Sequence, residues 1–115
     1  MIRDFWEYLQ KLVDTSEIEI DRPKGTTHPR YPESSYPVNY GFLIQTTSID
    51  MGGVDIWVGA LGKNEVVGIL CTVDLQKRDT ELKIVYDCTD PEIEAIINFI
   101  NYDQMRAIYI GKDKY

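Results

Sequence analysis

The stretch from Tyr36 to Trp57 constrains this chain more than any other. Tyr36-Pro37-Val38-Asn39-Tyr40-Gly41-Phe42 is an aromatic, turn-capable entry into an apolar segment. An acidic, Gly-rich turn follows at Asp50-Met51-Gly52-Gly53, and then a β-prone run carrying Asp55. Two strands joined by such a turn gather their polar side chains beside one end of a sheet.

The remaining segments fit the same sheet. Glu17-Ile18-Glu19-Ile20 alternates as a half-buried strand, and Asp21-Arg22-Pro23-Lys24-Gly25 should then leave it, because Pro23 has no N–H to give to a ladder. Thr26 to Ser35 reads as a polar surface loop bringing Arg30 and the lone His28 toward the aromatic segment. Residues 40 to 46 and 54 to 60 read as strands. The run Val66-Val67-Gly68-Ile69-Leu70 is apolar throughout, so both of its faces should be covered. Residues 74 to 80 form a charged turn, Leu82 to Tyr86 return as a hairpin partner, and Ile108-Tyr109-Ile110 suits a short edge strand.

Two helices complete the pattern. Phe5, Trp6, Leu9, Leu12 and Val13 share one face of a helix over residues 3 to 13. Asp90-Pro91 opens a second, with Asp90 as the expected N-cap and Ile93, Ile96, Ile97 and Ile100 as its apolar stripe. Five or more short strands with two helices predict an α+β fold in one domain, 1–115. A strongly twisted antiparallel sheet of this size is expected to close into a small OB-like barrel.

Hydrophobic residues are 43% of the 115, and 12 Lys and Arg stand against 19 Asp and Glu for a net charge of -7. That sign disfavours nucleic-acid binding, which rests on neutralising phosphates with cationic side chains. No apolar run approaches the ~20 residues of a membrane span, and the charged N-terminus is unlike a signal peptide, so a cytoplasmic setting without membrane contact is expected. Cys71 and Cys88 lack metal-site spacing and read as buried free thiols. The helix at residues 3 to 13 has an apolar face that could serve a homo-oligomer.

Asp50 and Asp55 flank one turn, and Asp74 and Asp79 flank another. Asp is common in turns for local hydrogen-bonding reasons. Four converging carboxylates would also suit a hard divalent cation. The signature Tyr36-Pro37-Val38-Asn39-Tyr40-Gly41-Phe42, with the aspartates after it, resembles soluble inorganic pyrophosphatases of the single-barrel, Mg²⁺-dependent type, over about residues 16 to 104. The resemblance implies that Asp50, Asp55, Asp74 and Asp79, supported by Asp21, hold Mg²⁺ or Mn²⁺. It implies that Asp50, Asp55 and Tyr40 act in catalysis, and that Arg30, Tyr40 and Tyr102 hold phosphate. Arg22, Lys24, Arg78 or Lys83 could supply compensating positive charge from new directions.

The departures matter equally. Gly52 stands where the family has the middle aspartate of Asp-x-Asp-Pro-x-Asp, Gly53 replaces the proline, and Glu81 and Asp103 stand where lysines are expected. The resulting expectation is an attenuated Mg²⁺-dependent hydrolase of pyrophosphate. The alternatives are a degenerate relative that binds metal or a small phosphorylated ligand without turnover, and a hydrolase of another phosphoanhydride.

Overall fold

Ile56 and Trp57, Ile69 and Leu70, and Ile84 and Val85 are three adjacent pairs, all buried, and in each pair the first residue belongs to one apolar core and the second to another. Successive side chains of a strand point to opposite faces, so the sheet that carries these pairs is covered on both sides. The computed structural model describes residues 2–48 and 52–112. Its elements are α1 (Ile2–Asp14), β1 (Ile18–Arg22), β2 (Asn39–Leu43), β3 (Val54–Val58), β4 (Val66–Asp74), β5 (Asp79–Tyr86), α2 (Asp90–Ile100) and β6 (Met105–Gly111).

The α+β class expected from the sequence is observed. Trp6, Leu9 and Val13 of α1 pack with Leu43, Ile56, Val66, Ile69 and Ile84 on one face. Ile96 and Ile100 of α2 pack with Tyr36, Val38, Trp57, Leu70 and Val85 on the other. The expected barrel is not closed by hydrogen bonds among the described residues, and its all-antiparallel pairing is corrected. The six strands run in the order β1-β2-β3-β5-β4-β6, and among the described residues no hydrogen-bonded ladder joins β1 to β6. One inner pair, β3 with β5, is parallel, with Ile56 beside Ile84 and Trp57 beside Val85. The other four pairs are antiparallel.

Two local expectations also change. β1 does not end at Ile20 but continues to Arg22 across an irregularity in its register against β2. The strand leaves the sheet only where Pro23 removes the donor.

The N-cap of α2 is Thr89 rather than Asp90. Thr89 takes part in a capping box with Glu92, whose side chain accepts from the Thr89 backbone N–H. Burial would raise the Glu92 pKa, but the N–H groups of Thr89 and Ala60 outweigh it and hold the carboxyl below its ordinary value. Thr89→Ala should cost about 1 kcal/mol, read as a lower urea midpoint with an unchanged slope.

Candidate active-site cleft

The parallel β3–β5 pair places the chemistry. Asp55 is two residues before Trp57 and Lys83 two before Val85, so the register that seats Trp57 beside Val85 also seats Asp55 beside Lys83. Across the other edge of β3, Tyr40 of β2 is opposite Trp57. Tyr40, Asp55 and Lys83 therefore meet on the α2 face of the sheet, where the apolar core gives way to a cleft of about 290 Å³.

Hydrogen bonds tie the three together. Tyr40 Oη donates to Asp55 Oδ2 at 2.5 Å. Lys83 Nζ donates to Asp55 Oδ2 and to Tyr40 Oη, both at 2.8 Å, and to Glu81 Oε1 at 3.2 Å. Burial opposes the ammonium form of Lys83, yet its charge contacts and hydrogen bonds with Tyr40 and Asp55 prevail and raise its pKa above the ordinary value. Burial is the main reason that the Tyr40 phenol titrates above its ordinary range. At neutral pH Lys83 is thus an ammonium and Tyr40 a neutral phenol, both in contact with Asp55.

The cleft is lined further by Asp21, Arg22, Arg30, Tyr36, Lys77 and Glu81. Arg30 reaches it from the loop before β2, with Nη1 donating to Gln76 Oε1 at 2.8 Å and Nη2 lying 3.8 Å from Asp74 Oδ2. His28, which the loop brings to the aromatic segment as expected, packs parallel to Tyr36 at 5.8 Å and accepts the Arg30 backbone N–H on Nδ1 at 3.0 Å.

The expected site residues divide accordingly. Asp21, Arg22, Arg30, Tyr40 and Asp55 line one cleft. Asp74 lies outside that lining, in an adjoining cavity of about 60 Å³ shared with Arg30 and Tyr102. Its Oδ1 accepts the backbone N–H of Gln76 and Lys77 at 2.9 and 3.2 Å, which is turn chemistry, while its buried Oδ2 receives no hydrogen bond. Asp79 is the cross-strand partner of Asp74 at the hairpin end. Tyr102 is exposed and donates to Glu33 Oε1 at 3.0 Å. Asp50 lies outside the described residues.

Lys83 was only a possible compensating cation in sequence; the structure puts it at the centre. It shares the cleft with Glu81, two residues earlier on β5, so the cation missing at Glu81 enters one alternation deeper along the strand. That period-2 spacing was the available signal.

A divalent cation does not fit this arrangement as it stands. Among the described residues, no group of three or more His, Cys, Asp and Glu side chains is placed to hold a metal ion. Asp55 and Glu81 both turn an oxygen to the Lys83 ammonium, which stands between them.

No family model matches the sequence. The inorganic pyrophosphatase of Mycoplasma pneumoniae is 34% identical over 104 residues, taking in 84% of this chain and 50% of that protein, so the chain spans about half the length of this curated relative. Among solved structures, an inorganic pyrophosphatase from Coxiella burnetii superposes with a TM-score of 0.55 at 17% identity, covering 84% of each chain. One from Neisseria gonorrhoeae gives 0.55 at 18% identity, covering 85% of this chain and 76% of that one.

Proposed function

Starting from a chain that is a divergent member of the inorganic pyrophosphatase family, we propose that the cleft at Tyr40, Asp55 and Lys83 binds inorganic pyrophosphate and hydrolyses its phosphoanhydride bond. The observation that carries this reading is electrostatic. In a chain of net charge -7, Arg22, Arg30, Lys77 and Lys83 line one cleft against Asp21, Asp55 and Glu81. A local excess of cations in a concave, partly dry site attracts a small polyanion.

Arg30 and Lys77, at the rim, hold the phosphoryl oxygens, Arg30 through its planar fork of N–H donors. Arg22 approaches from the end of β1. The oxygen of Asp55 that faces neither Tyr40 nor Lys83 accepts a proton from the attacking water as the new P–O bond forms. The bridging P–O bond breaks, and the leaving phosphate carries the electron pair toward the rim cations. Magnesium belongs to this reading as the companion ion of pyrophosphate, with Mn²⁺ as a substitute.

A cytoplasmic setting is part of the same proposal, supported by two unpaired thiols. Burial, then the nearby Glu92 charge, pushes the Cys88 thiol up to about 12. No described helix is long and apolar enough to cross a membrane. Homo-oligomer formation is supported by the exposed Phe5 and Tyr8 of α1, and a sedimentation measurement decides it.

One observation favours a second reading, a relative that binds a phosphorylated ligand without turnover. Lys83 neutralises the carboxylates of the cleft, and Gly52 supplies none.

The binding half of the proposal is tested by calorimetry with methylenediphosphonate, a pyrophosphate analogue whose bridge cannot be hydrolysed. Arg30→Ala should weaken binding by roughly 10- to 100-fold, the effect of losing a charge-assisted hydrogen bond. Equal affinity in both proteins would move the phosphate away from this cleft.

A further inference from the structure

The Lys83 ammonium has three N–H bonds, and three acceptors surround it: Tyr40 Oη, Asp55 Oδ2 and Glu81 Oε1. Only 8% of its side chain is exposed, and its Nζ lies 5.3 Å from the centre of the Tyr40 ring. The stem emerges from the apolar core one alternation before Val85, which is fully buried. Every donor is thus used inside the protein, and the amine is held by its neighbours on β2, β3 and β5.

From this geometry we propose that Lys83 is the resident cation of the Asp55–Glu81 carboxylate pair and takes the place of a divalent metal ion there. The free protein then holds no metal at this point, and any Mg²⁺ used in the cleft arrives complexed to the polyanion that binds. Like charges within a few ångströms repel strongly away from bulk water, so a divalent ion cannot join Asp55 and Glu81 while the ammonium sits between them. The parallel β3–β5 register makes the arrangement obligatory, because it sets Lys83 beside Asp55 whenever the sheet is formed. The inference concerns the free protein and stands apart from whether the cleft turns over pyrophosphate.

The test is a titration of the full chain with Mn²⁺ alone, followed by the loss of the free-ion electron paramagnetic resonance signal. Lys83→Gln removes the charge and should bind Mn²⁺ at least ~tenfold more tightly than the wild type, since the repelling ammonium is gone and two carboxylates are released to it. Adding Asp55→Asn to that variant should abolish the gain. A Lys83→Gln protein that folds only when Mn²⁺ is present supports the same conclusion. Mn²⁺ binding by the wild type alone that is lost in Asp55→Asn would overturn it. So would a folded Lys83→Gln with no gain. The wild-type arm needs no variant of Lys83 to fold, and neither arm measures phosphate release, so failure here and failure of the hydrolase reading are separately visible.

Discussion

Gly41→Ala should leave the protein largely unfolded under conditions in which the wild type is stable. Gly41 of β2 is opposite Ile20 of β1, close to the register irregularity between Ile20 and Arg22. A Cβ added there would lie 1.8 Å from the Glu19 carbonyl oxygen, 2.7 Å from its carbon and 2.8 Å from Ile20 Cα. All three are backbone atoms of a paired strand, so relief requires β1 to separate from β2. Overpacking in a core usually costs 1–3 kcal/mol through side-chain adjustment. Here no side chain can adjust, and a loss of at least ~3 kcal/mol is expected from the 5–15 kcal/mol of a typical domain. The urea midpoint measures it, and a variant within ~0.5 kcal/mol of wild type would show that β1 is not held against Gly41. The Gly of the Tyr-Pro-x-Asn-Tyr-Gly signature is thereby explained by backbone approach, beside a Tyr that reaches the site.

Asp55→Asn should lower the rate of phosphate release from pyrophosphate by about 10²- to 10⁴-fold, the range for removing a general base. The substitution keeps the shape of the side chain, so Tyr40 and Lys83 retain an oxygen to donate to. It removes the negative charge that accepts the proton and balances the buried ammonium. Substrate affinity should change much less than kcat, because the phosphoryl contacts assigned to Arg30 and Lys77 lie on the rim. An equal fall in affinity with unchanged kcat would assign Asp55 to binding. Tyr40→Phe is the companion variant: it removes one hydrogen bond to Asp55 and one acceptor of Lys83 without touching the charge pair.

Local features of this fold were legible in the sequence because they depend on neighbours in the chain. The helix faces of Trp6, Leu9 and Val13 and of Ile96 and Ile100 follow from a 3.6-residue period, and the burial of Ile69 and Leu70 on opposite faces from an unbroken apolar run. The pairing of β3 with β5 was not legible. A parallel pair needs a long crossover, here passing through β4, and nothing within either strand reports it. That one pairing puts Lys83 beside Asp55, which is why the signature revealed Tyr40 and Asp55 while the central cation was only one of several possible ones. The Asp74–Asp79 pair is a different case: Asp74 Oδ1 accepts the Gln76 and Lys77 amides of its own turn, while its buried Oδ2 receives no hydrogen bond, and spacing alone cannot separate the two uses of one carboxyl group.

The most direct test of the central claim is phosphate release from pyrophosphate by the wild-type chain with Mg²⁺, measured beside Asp55→Asn and beside a phosphomonoester such as p-nitrophenyl phosphate. Release from pyrophosphate that far exceeds release from the monoester, and that falls at least ~100-fold in Asp55→Asn, is the predicted result. Wild-type protein that is folded and binds methylenediphosphonate, yet releases phosphate no faster than Asp55→Asn, would contradict it and leave the cleft as a binding site alone.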